Sequence, residues 1–216
     1  MNLIYCYDAY CGWCYGFSKV ITQVAKNYES IFFTEVLSGG MILPEEPVHI
    51  GTMASYIQQA YKTVEEYSGV IFGKDYLWHI ENPDLSDWFP HSLKPAIVLC
   101  IFKELQPHKQ VSFAADLQYA LHYEGRDLTD DEAYTHLLTK YEIDKEDFLQ
   151  KLHSNTYKEK AQYEFALCKQ LQVTGYPYLL LQVSDTKFYL VAKGYTPLQD
   201  VTQRIENILK ELANKN

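Results

Sequence analysis

The chain has 216 residues, 47% of them hydrophobic, and a formal net charge of −9. That acidity argues against nucleic acid or an anionic membrane surface as a partner, and no apolar run approaches the roughly 18 residues needed to span a bilayer. The length suits one large domain or one domain carrying an inserted lobe.

Met1-Asn2 leads straight into an apolar run with no basic segment or cleavage site, so the expected location is the cytoplasm. Residues 3–8 read as a first strand, 13–28 as a helix with one apolar face, and 31–37 as a second strand covered on both faces. Two strands joined by a helix should lie parallel. Ser38-Gly39-Gly40 then breaks the chain. The stretch 51–172 is helical. It opens with an amphipathic segment at 52–67, followed by a polar and aromatic loop at 79–92 that contains His79, Trp88 and His91. Ser92 is expected to cap a helix with Pro95 in its first turn, stopping near Pro107. A further helix covers 112–123. Thr129-Asp130-Asp131-Glu132 has the capping-box pattern, and Asp144 caps the helix that begins near Lys145. His108, His122, His136 and His153 read as ordinary helix-surface or helix-packing residues. Strands at 178–183 and 187–191, joined by the turn Ser184-Asp185-Thr186, form an antiparallel pair. Thr196-Pro197 is expected to cap the last helix, 198–212.

Strand, helix, strand, a long helical block, two antiparallel strands and a helix make an α/β chain. Without the block this is the order of a thioredoxin fold. The block is too long for a loop. It therefore reads as a helical insertion between the second strand and the strand that follows Tyr176-Pro177. The expected division is a thioredoxin-like domain over 1–50 and 173–216 and an inserted helical domain over 51–172.

Cys11-Gly12-Trp13-Cys14 stands where the first strand gives way to the first helix. The unpaired N–H groups and the positive end of the helix dipole favour a thiolate there. A free cysteine has a pKa of about 8.5, and comparable sites lie at roughly 3.5–7.5. Cys11, at the helix start, is the expected nucleophile. Cys14, one turn in, is the expected resolving thiol, closing a disulfide after Cys11 has captured a substrate sulfur. Gly12-Trp13 places no charge between the sulfurs, which predicts a less oxidising site than one holding an imidazole. Trp13 offers either an apolar face to substrate or packing against the helical lobe. Asp8 and Glu35 are candidate proton-transfer carboxylates; the alternatives are a turn or capping role for Asp8 and an exposed edge position for Glu35. Cys6, Cys100 and Cys168 are scattered through apolar surroundings and read as buried free thiols. A proline opening a strand after Gly175-Tyr176 is compatible with a cis peptide bond.

Tyr7 through Phe17, taken with Val173-Thr174-Gly175-Tyr176-Pro177, resembles the DsbA-like thioredoxin family, and most of all its FrnE-like branch of bacterial disulfide isomerases that lack a signal peptide. The resemblance spans nearly the whole chain. It implies a thiol-disulfide oxidoreductase or isomerase in which Cys11 attacks, Cys14 resolves and Pro177 is the cis-proline, with Trp13 and Tyr176 beside the substrate. It implies no cofactor beyond the redox-active disulfide, with glutathione as a candidate co-substrate, and partners that are protein or small-molecule thiols and disulfides. Oligomeric state is left open. A glutathione-dependent transferase or isomerase of the kappa-class or 2-hydroxychromene-2-carboxylate isomerase type is the alternative on a similar scaffold, although Cys14 has no role in that chemistry. A peptide-binding chaperone is a further alternative. One CxxC without a second ligand pair predicts no metal site.

Overall fold

Every residue of the first strand from Leu3 to Tyr7 is buried, because both faces of that strand are covered. The computed structural model describes residues 1–214. Its four-stranded sheet has the order β2-β1-β3-β4. The strands are β1 (Asn2–Tyr7), β2 (Phe33–Ser38), β3 (Tyr178–Ser184) and β4 (Lys187–Lys193). β1 and β2 are parallel and joined by helix α1 (Gly12–Asn27), while β3 runs antiparallel to both β1 and β4. The order of elements along the chain, the parallel β1–β2 pair and the antiparallel β3–β4 pair are those expected from the sequence.

Alternation along β1 decides which layer each side chain joins. Leu3, Tyr5 and Tyr7 belong to the main core with Phe17, Ile21 and Val24 of α1. Ile4 and Cys6 point the other way and join Leu37, Leu180 and Cys168 in a smaller cluster. The last helix, α9 (Leu198–Ala213), packs on α1 and β4. All five cysteines are buried free thiols, as expected for Cys6, Cys100 and Cys168.

Seven helices lie in sequence between β2 and β3: α2 (Gly51–Ser68), α3 (Lys74–Glu81), α4 (Leu93–Leu105), α5 (Gln110–His122), α6 (Thr135–Lys140), α7 (Lys145–Leu152) and α8 (Asn155–Gln170). Three of them supply side chains to the backbone of β2, an edge strand whose groups would otherwise lack partners. Gln110 Oε1 accepts the Val36 N–H at 2.7 Å, Lys103 Nζ donates to the Val36 carbonyl at 2.7 Å, and Glu164 accepts the Ser38 N–H at 2.8 Å. The helical block is thereby bonded to the sheet.

Local signals failed where tertiary contacts took the capping side chains. α3 replaces the front of the expected 79–92 loop; two turns suffice because Tyr76 and Ile80, four residues apart, are both buried. Ser92 does precede α4, but its hydroxyl makes no capping bond. It donates to Asp8 and accepts the Ile42 N–H instead. The Thr129–Glu132 box does not form. The Thr129 N–H and hydroxyl both bond Asp127, and a 3-10 turn at Asp131–Tyr134 precedes α6. Pro197 is itself the cap residue of α9 rather than its first helical residue, and Thr196 bonds the Gly194 carbonyl. Asp144 caps α7 as expected, accepting the Asp147 N–H at 2.7 Å.

Candidate active site

β1 ends at Tyr7, and the turn Asp8-Ala9-Tyr10 delivers Cys11 to the start of α1. The turn is closed by the Cys11 N–H bonding the Asp8 carbonyl at 3.1 Å. Cys11 has extended backbone and is the N-cap of α1. Its Sγ accepts the Cys14 N–H at 3.3 Å, the bond a serine or aspartate oxygen makes at ordinary helix starts. No acidic side chain occupies the first turn, so no carboxylate there competes with this sulfur for the positive end of the helix. Cys11 is 6% exposed and Cys14 is fully buried. Burial, and then the adjoining Cys11, push the Cys14 thiol well above the ordinary cysteine range.

The second half of the site comes from a point 165 residues away. The Cys11 thiol donates to the Tyr176 carbonyl at 3.5 Å. The Tyr176–Pro177 peptide bond is cis, as the Gly-Tyr-Pro signal suggested. Tyr176 is anchored in turn, its hydroxyl donating to the Gly39 carbonyl at 2.9 Å. A Cβ added to Gly39 would sit 2.0 Å from the Tyr176 ring, so glycine is required there. The break at Ser38-Gly39-Gly40 thus holds the proline loop against the dithiol.

Trp13 packs against the helical lobe, one of the two roles considered for it. Its ring packs against Tyr67 of α2 and Tyr195 at centroid distances of 6.3 and 6.2 Å. It also lines a cavity of about 240 Å³ that opens beside Cys11 and extends beneath α2. α2 approaches closely because residue 16 is glycine: a Cβ there would lie 3.0 Å from side-chain atoms of Val64 and Ser68. Trp88 lines the same cavity and stacks on His79 at 3.8 Å, and Pro90 lines it too, so the mid-chain loop does reach the site.

The two candidate carboxylates separate. Asp8 is 2% exposed and accepts from the Tyr10 N–H (3.0 Å), the Met41 N–H (2.7 Å) and the Ser92 hydroxyl (3.0 Å). Burial raises its pKa and these donors oppose the rise. This is the turn-and-cap role. It ties the dithiol turn to the segment after β2 and to the start of α4. Glu35 is not at the dithiol. It alternates with Val36 onto the far face of the sheet and pairs with Lys103, which also pairs with Glu164 at 2.8 Å. An edge strand leaves that face open to the lysine, and sequence alternation alone could not say which face met α1.

Sequence reasoning missed Tyr5. Its hydroxyl lies against the Cys14 thiol, is completely buried, and makes no well-aligned hydrogen bond. Burial, followed by the neighbouring Cys14 and Cys11, holds this phenol well above the ordinary tyrosine range. The signal was present. Tyr5 shares the α1-facing side of β1 with Leu3 and Tyr7, so its ring had to end beneath the helix that carries the cysteines.

The sequence profile of the DSBA-like thioredoxin domain matches residues 3–206. The chain belongs to this family. The DSBA-like family is one of thiol-disulfide oxidoreductases, and the dithiol and cis-proline described above sit inside the matched region. No curated protein matches the chain. Among solved structures, a "putative protein disulfide isomerase" from Nitrosomonas europaea superposes with a TM-score of 0.85 at 22% identity, covering 97% of this chain and 98% of that one. The cytosolic disulfide reductase DsbM from Pseudomonas aeruginosa gives 0.77 at 23% identity over 97% and 99% of the two chains, and its structure with GSH gives 0.76 at 24% over 97% and 100%. A 2-hydroxychromene-2-carboxylate isomerase gives 0.68 at 11% identity, with both chains fully covered. At these identities the likeness establishes the DSBA-like fold.

Proposed function

We propose that the chain exchanges disulfides through Cys11 and Cys14, with the Tyr176-Pro177 loop beside the attacking sulfur. The observation that carries this reading is the position of Cys11 Sγ, held between the Cys14 N–H and the carbonyl that precedes the cis-proline. Cys11, as thiolate, attacks one sulfur of a substrate disulfide and expels the other as a thiolate, which takes up a proton. Cys14 then gives up its proton and attacks Cys11 Sγ. The mixed disulfide breaks, the second substrate thiolate leaves and is protonated, and the enzyme carries the Cys11–Cys14 disulfide. The substrate gains two electrons and two protons; the enzyme loses two electrons and the Cys14 proton, and solvent supplies the second proton, having received the Cys11 proton when that thiolate formed.

Cys14 needs help in the second step, because its burial opposes the thiolate. Tyr5 is the group placed to give it. A phenol with a raised pKa is no base, but it donates. A hydrogen bond to a charged group contributes roughly 1.5–3 kcal/mol, so Tyr5→Phe is expected to slow resolution of the mixed disulfide by about tenfold or more. The pH midpoint of that step should move upward, while alkylation of Cys11 by iodoacetamide keeps its wild-type rate. Rapid-quench trapping of the mixed disulfide across pH measures this. An unchanged midpoint removes Tyr5 from the mechanism.

Gly12-Trp13 adds no charge between the sulfurs, which supports a reductase or isomerase rather than a strong oxidase. Glutathione is the small thiol proposed to restore the dithiol, in the cytoplasm. DsbM, a cytosolic disulfide reductase of the same fold whose structure has been determined with GSH, supports both points. The reading is tested by insulin reduction against conjugation of 1-chloro-2,4-dinitrobenzene to glutathione. The expected result is insulin precipitation at rates well above the uncatalysed reaction, with no conjugation. Conjugation without insulin reduction would instead establish the transferase alternative, for which the fold of the chromene-carboxylate isomerase is the precedent.

A further inference from the structure

The cavity beside Cys11 has walls unlike those expected around a charged substrate. Trp13, Tyr61, Phe72, Tyr76, Trp88 and Tyr176 contribute rings, Met41 and Met53 contribute thioethers, and among the described residues no Asp, Glu, Lys, Arg or His lines it. Cys11 itself forms part of the wall. We infer that this cavity receives an uncharged aromatic group carried by the substrate next to the sulfur that Cys11 attacks. The inference rests on the exchange reading above and names the substrate class that reading leaves open.

Size, surface and charge agree. An apolar cavity of roughly 150 Å³ stays dry and binds benzene; about 240 Å³ therefore takes one ring together with the chain that links it to sulfur. Thioethers adapt to irregular aromatic shapes and make favourable contacts with ring edges. A carboxylate placed among these walls would lose its hydration without meeting a cation, and the chain's net charge of −9 repels anions before they arrive. Glutathione disulfide, with four carboxylates, can thus meet Cys11 only with its charged arms outside the cavity. In the reaction, Cys11 forms the mixed disulfide with the sulfur bearing the aromatic arm. The S–S bond of the substrate breaks, and the other half departs as a thiolate that takes up a proton. No outside oxidant is involved.

The experiment uses the reduced full chain and measures the second-order rate of its oxidation by three symmetrical disulfides, followed by quenching and intact mass spectrometry. These are the disulfides of N-acetyl-phenylalanyl-cysteine amide, of N-acetyl-glycyl-cysteine amide, and of glutathione. Burial of the ring predicts a phenylalanyl rate roughly tenfold or more above the glycyl rate, with glutathione disulfide slowest. Ala60→Phe, which fills the cavity from α2, should bring the phenylalanyl-to-glycyl ratio to about one. Ile57→Lys, which puts a cation on the wall, should raise glutathione disulfide relative to the phenylalanyl compound. Equal phenylalanyl and glycyl rates in the wild-type chain, or a ratio that survives both substitutions, would overturn the inference alone. Oxidation by none of the three would overturn the exchange reading and the inference with it.

Discussion

Cys14→Ser is expected to turn the protein into a trap, and Cys11→Ser to silence it. The two outcomes differ because the two sulfurs differ in surroundings, not in distance along the chain. Cys11 faces the cavity and the Tyr176 carbonyl from the end of α1; Cys14 is sealed in the core one turn later. Only the first can meet a substrate. A serine at position 11 leaves a hydroxyl that is scarcely nucleophilic at neutral pH, and among the described residues no histidine lines the cavity at this position to activate it. Disulfide exchange should fall by at least about 10³-fold, the scale on which removing a catalytic nucleophile acts. Cys14→Ser leaves attack intact but removes the only described thiol placed to displace the captured sulfur. Incubation with insulin, an acid quench and non-reducing electrophoresis should then reveal a covalent adduct, released by dithiothreitol, that wild-type protein does not accumulate. The buried serine hydroxyl costs some stability, roughly 1–3 kcal/mol, so circular dichroism must establish that the variant is folded. A folded Cys14→Ser that traps nothing, or a Cys11→Ser that still reduces insulin, would remove the assigned roles.

How much of this site could be read from residues depended on whether local chemistry or distant packing set each one. The dithiol was legible because its spacing and its place at a strand–helix junction are local, and Tyr176-Pro177 because proline limits its own backbone. The strand order followed from alternation and turn residues, which are local too. Asp8 was ambiguous for a different reason. A carboxylate before a turn has several uses, and only the folded chain brings the Met41 N–H and the Ser92 hydroxyl to it. Ser92 illustrates the same limit from the other side: its position before α4 predicted a cap, and a buried acid elsewhere in the fold claimed the hydroxyl. Glu35 was left between two positions because a one-residue shift in alternation exchanges the faces of a strand. The cavity walls were invisible in advance, since they come from the first strand–helix turn, the segment after β2, α2, α3, the loop that carries Trp88, α5 and the proline loop, brought together by tertiary packing.

His122 is of the helix-packing kind, buried completely in α5, and acid should expose it. The ring is completely buried, stacked on Tyr15 at 5.0 Å, with Phe72 and Tyr76 against it. Nδ1 bonds the Gln118 carbonyl at 3.0 Å, and Nε2 is turned towards the Tyr10 backbone without a well-formed bond. Burial lowers its pKa from 6.5 to about 4, against the opposing pull of those two backbone groups. A histidine whose folded pKa is depressed binds fewer protons in the fold than in the unfolded chain. Its contribution to stability is therefore present above the unfolded value of 6.5 and lost as pH falls through about 4. Over that window the loss should approach roughly 3 kcal/mol, at about 1.4 kcal/mol for each tenfold change in proton concentration. Other groups titrate in the same range. Burial also lowers the pKa of the partly exposed His79, His91 and His136, and raises that of Asp8, which acts in the opposite direction. The measurement must therefore be a difference. Urea unfolding of wild type and of His122→Phe, which keeps a ring against Tyr15, should show the two stability curves converging as pH drops from 7.5 to 4.5. Parallel curves would mean that His122 accepts a proton inside the folded protein as easily as outside it. Because His122 joins Tyr15 of α1, the helix that Cys11 caps, to α5, whose Leu121 lines the cavity, loss of this packing at low pH should disable the dithiol while both cysteines remain chemically intact.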